Sequence, residues 1–251
     1  MLKGTHITVK YGALTAVDDL SFELREGQWL MLAGPNGAGK STLIEAIAQG
    51  VPSRGALEWE GQDLRRMKAS LLARRIGVLS QKNRVEYSYT VEEVVRLGRY
   101  AYRAGLLGGK DREEEKRVEE ALEMTGMTAL RQASMLTLSG GETQRAFLAQ
   151  VFAQNPRVLI LDEPANHLDL KYQQRLFSLI EDWRREPGRA VLSVVHDLSL
   201  ARKYGTHALL MNRGRCAAQG EAAETLSPDN LRRVYEMDVQ AWMRGLLAQW
   251  E

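Results

Sequence analysis

Eight consecutive residues, Gly34-Pro35-Asn36-Gly37-Ala38-Gly39-Lys40-Ser41, place glycines at the first and sixth positions, then a lysine and a hydroxyl, with Thr42 following. This is the spacing G-x-x-x-x-G-K-[ST]. Glycines at those places let the backbone curl until several N–H groups face one anion, and a helix beginning at Lys40 adds the positive end of its dipole. Lys40 has the reach for β- and γ-phosphates, Ser41 can ligate Mg²⁺ through its hydroxyl, and Thr42 can hydrogen-bond a phosphate. An ordinary glycine turn could also cap a helix, but here a continuously apolar segment, Trp29–Ala33, runs straight into the loop, as a buried strand would. The pattern predicts a nucleoside triphosphate as ligand and leaves the reaction open.

Carboxylates stand at the end of a second apolar run. Residues 158–161 are Val-Leu-Ile-Leu, and Asp162 and Glu163 follow. An apolar strand ending in acids puts them at the C-terminal edge of a parallel sheet, where open α/β sheets receive ligands. Asp162 can then hold Mg²⁺ through water, and Glu163 can act as general base on an attacking water. His196, followed by Asp197, ends a third apolar run over 190–195, a position suited to touching a γ-phosphate. Gln81 follows the candidate strand 76–80 and by itself indicates little.

A second glycine-bearing helix entrance lies at Leu138-Ser139-Gly140-Gly141-Glu142-Thr143-Gln144. Ser139 and Glu142 have the spacing of a capping box, which accounts for a helix start. It does not account for two glycines in the first turn, where alanine would hold the helix better. Glycines there suit a ligand that approaches the backbone closely, and bare N–H groups with a helix dipole suit a phosphate.

These residues need strands and helices to carry them. Residues 7–11 and 21–24 alternate polar and apolar, as half-exposed antiparallel strands do, and 57–60 and 76–80 are further strands. A helix is predicted over 40–49. From about residue 84 the character changes. Thr90 and Glu93 form a capping box, 111–125 is charged with apolar residues at helical spacing, and 140–155 is a further helix. The run 113–117 reads as a solvated helix face. After Pro156 strands return at 158–161 and 190–195, joined by the helix Leu170–Arg185 in a βαβ pattern. A hairpin over 208–211 and 215–218 turns at Asn212-Arg213-Gly214, and Ser227-Pro228 reads as a helix N-cap with proline at the first helical position. The expected organisation is an α/β core of residues 1–83 and 156–251 interrupted by an all-helical insertion, 84–155.

Composition narrows the class. The 251 residues are 44% hydrophobic and 26% charged with a net charge of +2, and the basic residues are dispersed, so no nucleic acid partner is expected. The one cysteine, Cys216, allows no internal disulfide and fits a reducing, cytoplasmic setting. No secretory leader is expected from the first residues, and no window approaches the roughly 18 apolar residues of a membrane span.

The motifs together resemble the ATP-binding subunit of an ABC transporter, in the family's order and over nearly the whole chain. Gly34 to Thr42 is similar to its Walker A motif, Leu138 to Gln144 to its LSGGxxQ signature, Val158 to Glu163 to its Walker B strand with the catalytic glutamate, Gln81 to its Q-loop, His196 to its switch histidine and Asn166-His167-Leu168-Asp169 to its D-loop. The resemblance implies a P-loop NTPase core with an antiparallel β subdomain and an inserted α-helical subdomain. It implies ATP and Mg²⁺, with Ser41, Gln81 and Asp162 serving the metal, and Tyr11 stacking on adenine with Val17 alongside. It also implies a head-to-tail homodimer, in which Ser139, Gly140, Gly141, Gln144 and Asp169 meet the nucleotide of the other subunit. Glu163-Pro164-Ala165-Asn166-His167-Leu168-Asp169-Leu170, Val95 to Arg99, and Val234-Tyr235-Glu236-Met237-Asp238-Val239 resemble importers of iron–siderophore, haem and cobalamin. An integral-membrane permease would then dock near the segment from Lys82 to Tyr100, at the cytoplasmic face of the membrane. An extracytoplasmic binding protein would act indirectly. The alternative is a soluble single-cassette ATPase of a non-transport process such as iron–sulfur cluster assembly, or the engine of another importer or exporter.

Overall fold

Strands β1 (Leu2–Tyr11) and β2 (Leu14–Leu24) pair antiparallel, and both are longer than the alternation in the sequence suggested. The reason is a phase reset in each strand. His6 (φ 53°) and Asp19 (φ 52°) sit at register shifts, so the inward series Leu2, Gly4 resumes at Ile7, and Val17 resumes at Leu20. Bulges of this kind break a period of two. The two bulged side chains meet, His6 Nδ1 lying 2.6 Å from Asp19 Oδ1.

The computed structural model describes residues 1–80, 88–102, 112–166 and 168–250. Gln81, His167 and the start of the segment from Lys82 fall outside them. The chain groups into two units, Met1–Arg65 with Leu192–Glu251, and Arg66–Val191.

In the first unit β3 (Trp29–Ala33) has all five residues buried and leads through the glycine loop to α1 (Lys40–Ile47). Strand β4 (Arg54–Trp59) pairs antiparallel with β1, and β5 (Gln62–Asp63) returns on β4 across Glu60 (φ 49°) and Gly61 (φ 82°). Positive φ at both turn residues is what a two-residue hairpin requires. The order of this sheet is β2-β1-β4-β5.

The second unit runs α2 (Ala69–Arg75), β6 (Ile76–Leu79), α3 (Val91–Leu97), α4 (Arg112–Thr125), α5 (Gly140–Gln154), β7 (Val158–Asp162) and α6 (Leu170–Arg185). Strands β6 and β7 are parallel, in register from Ile76 opposite Val158 to Leu79 opposite Leu161. The capping box of α3 forms as expected. Thr90 Oγ1 accepts from Glu93 N–H at 3.2 Å, and Thr90 N–H donates to Glu93 Oε2 at 2.7 Å. Helix α3 approaches α5 closely because Gly98 lacks a side chain; a Cβ there would lie 2.1 Å from the Gln150 carbonyl oxygen. The run 113–117 is only partly a solvated face, since Arg96 of α3 ties to Glu114 at 3.4 Å and Glu115 at 3.0 Å.

Strand β8 (Ala190–Val194) returns the chain to the first unit, where α7 (Leu198–Tyr204), β9 (His207–Asn212), β10 (Arg215–Glu221), α8 (Ala222–Thr225), α9 (Pro228–Tyr235) and α10 (Val239–Leu247) follow. Strand β9 pairs parallel with β3 and antiparallel with β10. The turn of that hairpin uses Arg213 (φ 49°) and Gly214 (φ 80°). Ser227 is the N-cap of α9 with Pro228 at the start of the helix, but its side chain makes no cap hydrogen bond. No helix of the described residues is long and apolar enough to cross a membrane.

One buried polar contact supports the strand that feeds the glycine loop. Trp29 Nε1 donates to Ser193 Oγ at 2.8 Å, with both residues fully buried. Ser193→Ala removes this acceptor from the buried indole N–H, and the expected loss of stability is about 1–3 kcal/mol. Urea unfolding without nucleotide measures it; an unchanged midpoint would mean the indole is satisfied in another way.

Candidate nucleotide-binding site

The first unit holds the glycine loop expected to cradle phosphates. Gly34 has φ 143° and Gly39 φ 97°. A Cβ on Gly34 would lie 2.2 Å from the Met211 carbonyl oxygen, and one on Gly39 2.2 Å from the Ala16 carbonyl oxygen. Both positions therefore exclude a side chain by space as well as by conformation. The outside of the loop is held by the β9–β10 turn, where Gly214 N–H donates to the Ala38 carbonyl at 3.1 Å. Inside, Lys40 is buried, and its Nζ donates to the Gly34 carbonyl at 2.7 Å and the Pro35 carbonyl at 2.9 Å. An ammonium folded over its own loop at a helix N-terminus is the chemistry that receives a polyphosphate. Ser41 and Thr42 are half-buried in the first turn of α1.

Tyr11 ends β1, is exposed, and its hydroxyl donates to Glu45 Oε2 of α1 at 3.2 Å. Val17 is fully buried opposite Val9. His196 is exposed just beyond β8, and Asp197 caps α7 by accepting from the Ser199 and Leu200 N–H groups at 2.7 and 3.3 Å.

The second unit holds the acids and the second glycine entrance. Asp162 is the buried last residue of β7. Glu163 next to it takes φ 53°, a left-handed conformation uncommon for a residue with a side chain. Two bonds close the turn that holds it there: Asn166 N–H donates to the Glu163 carbonyl at 3.1 Å, and Asn166 Nδ2 donates to the Glu163 carboxylate. Asp169 caps α6, accepting from Tyr172 N–H at 2.9 Å.

At the start of α5 the capping box forms in full. Ser139 Oγ accepts from Glu142 N–H at 3.3 Å, and Ser139 N–H donates to Glu142 Oε2 at 2.8 Å. The Ser139 hydroxyl, then its N–H, hold the Glu142 carboxyl below the usual carboxylate range. Gly140 and Gly141 are the first two helical residues, whose N–H groups have no acceptor within a helix.

Tertiary structure joins this entrance to the acidic strand end. Gln144 Nε2 donates to the carbonyl of Pro164, the residue after Glu163, at 3.3 Å. The Arg145 guanidinium lies 4.5 Å from the ring centre of Tyr172 on α6. No sequence motif marks Arg145 or Tyr172; Arg145 follows Gln144, and Tyr172 stands three residues after Asp169, which accepts its N–H. Gln81 lies outside the described residues.

A parallel-stranded core with a phosphate loop, an acidic strand end and a glycine-started helix defines a nucleotide-binding α/β class. Residues 17–166 match the family model described as ABC transporter. The chain is 35% identical over 235 residues to the ferric enterobactin transport ATP-binding protein FepC of Escherichia coli, covering 93% of this chain and 86% of that protein. It is 38% identical over 237 residues to the hemin import ATP-binding protein HmuV of Streptomyces coelicolor, covering 94% and 83%. A solved dimer of the ATP-binding cassette MJ0796, in a post-hydrolysis state with ADP and Pi, matches with TM-score 0.78 at 26% identity, covering 88% of this chain and 99% of that one. The chain belongs to the ABC transporter family, as an ATP-binding subunit whose ATPase activity is coupled to transport.

Proposed function

We propose that this subunit hydrolyses ATP to power import of a metal chelate, ferric siderophore or haem, through a membrane permease. Relatives named for ferric enterobactin and hemin, matched over more than nine-tenths of the chain, support the cargo class. The adenine lies on Tyr11 with Val17 alongside, and the phosphates lie in the loop from Gly34 through Pro35, Asn36, Gly37, Ala38 and Gly39 to Lys40, Ser41 and Thr42. The Ser41 hydroxyl and Asp162 carboxylate are hard oxygen donors of the kind Mg²⁺ takes, with Gln81 as the third group. Mg²⁺ supplies charge neutralisation on the phosphates. Glu163 takes the proton of the attacking water, and His196 contacts the γ-phosphate.

The observation that carries the dimer is the start of α5. Its first two residues are glycines, and the box between Ser139 and Glu142 fixes its end. Such an end is built for an anion brought by something else, and a second copy of the chain brings it as bound ATP. Ser139, Gly140, Gly141, Gln144 and Asp169 thus act across the interface. Residues 84–155 move as an inserted lever within a core of 1–83 and 156–251. The segment from Lys82 to Tyr100 carries the motion to the permease at the cytoplasmic face of the membrane, and an extracytoplasmic binding protein acts from the far side.

The test is co-purification from detergent-solubilised membranes, followed by ATPase assays of the reconstituted complex. A multi-span permease is expected to co-elute, and a binding protein loaded with ferric siderophore or haem to stimulate hydrolysis. Co-elution with a soluble scaffold instead would overturn the import reading.

A further inference from the structure

Helices α5 and α6 run in the same direction and meet at two places. At the far end the join is aromatic, with the ring centres of Phe152 and Trp183 6.4 Å apart. At the near end stand the glycine start of α5 and the Asp169 start of α6. There a cleft of about 250 Å³ opens among Gly126, Leu148, Leu168 and Leu176. Arg145 reaches across it. Its guanidinium lies 4.5 Å from the ring centre of Tyr172, within the range of a cation–π contact. The Arg175 guanidinium, on the same helix as the ring, is farther away at 5.8 Å.

Both members of this contact are fixed locally. Arg145 Nη1 donates to the carbonyls of Thr125 and Gly126 at the end of α4, at 3.4 and 3.2 Å. A planar fork bonded to two carbonyls has its orientation set before it meets the ring. Tyr172 is the residue whose N–H Asp169 caps, so the ring belongs to the same helical turn as Asp169. Arg145 lies in the second turn of α5, six residues after Ser139. The contact therefore stands within two turns of both helix starts, at the place where the cleft interrupts packing between their helices.

We propose that Arg145 and Tyr172 are positioning residues that lock the glycine start of α5 to the Asp169 start of α6, so that both meet the other subunit's ATP as one rigid edge. This rests on the reading above, in which both starts act across the interface.

Tyr172→Leu removes the ring and keeps the backbone N–H that Asp169 caps. The expected result is a kcat lowered about 2- to 30-fold, the worth of one cation–π contact, with ADP affinity and the nucleotide-free Tm little changed. In a Glu163→Gln background the same change is expected to raise the protein concentration at which ATP closes the dimer. Tyr172→Phe keeps the ring and is expected to restore both values. Leu176→Ala loosens the same helix one turn further on and is expected to lower Tm while kcat holds. In the double variant with Arg145→Met, Tyr172→Leu is expected to cost no further turnover, because the two side chains act as a pair. An unchanged kcat in Tyr172→Leu overturns the proposal, as does an equal fall in Leu176→Ala or full additivity in the double variant. Ser139→Arg tests the underlying reading separately: if that variant loses ATP binding at its own cradle, action across the interface fails whatever Tyr172 does.

Discussion

Replacing Glu163 by glutamine lowers ATP turnover by about 10²–10⁴-fold, the usual worth of a general base, while ATP binding persists. The substitution is a clean one here. Glu163 is held at φ 53° by the turn that Asn166 closes, through its N–H on the Glu163 carbonyl and its side-chain amide on the carboxylate. The oxygen of a glutamine amide can accept the same side-chain bond, so the turn survives and only the proton acceptor is lost. Subunits that bind ATP and cannot cleave it accumulate as the closed dimer. Single-turnover hydrolysis and size-exclusion chromatography with ATP read both parts. Wild-type turnover in the variant would remove Glu163 from the role of base.

Ser139→Arg abolishes hydrolysis and spares binding of ATP to the subunit's own cradle. Ser139 lies in the second unit and the cradle residues Gly34 to Thr42 in the first, so ATP binding at the cradle is expected to survive the replacement. The substitution also removes the cap at the start of α5, which costs about 1 kcal/mol. That is small beside the 5–15 kcal/mol of a typical domain. Ser139→Asn isolates the cap, because asparagine accepts the Glu142 N–H and stays neutral. It is expected to restore folding stability and part of the turnover. Equilibrium binding of a fluorescent ATP analogue beside the ATPase rate makes the measurement. Loss of binding in Ser139→Arg would assign the signature turn to its own subunit.

Much of the site is legible as short sequence patterns because its chemistry is local. The loop from Gly34 to Thr42 needs its glycines, lysine and hydroxyl within one turn of chain, and the box from Ser139 to Glu142 spans a single helical turn. Both stand where the spacing puts them, the box with both of its hydrogen bonds. Strand alternation was legible only until a bulge intervened. His6 and Asp19 each reset the phase, which hid the first part of β1 and most of β2 from a period-two reading. The run 113–117 looked solvated because its partner Arg96 lies on another helix.

The amino-acid sequence by itself determined the ligand class, the elements that carry it and the family, because backbone curling, helix capping and strand-end charge depend on neighbours a few residues apart. Only the tertiary structure decided what holds those elements still. Met211 excludes a side chain at Gly34, Gly214 grips Ala38, and Gln144 reaches Pro164. Most of these partners are far apart along the chain, and no periodicity links them. They meet because apolar strands and helices bury their faces together. That packing turns a phosphate-binding pattern into a loop held from outside by Met211 and Gly214.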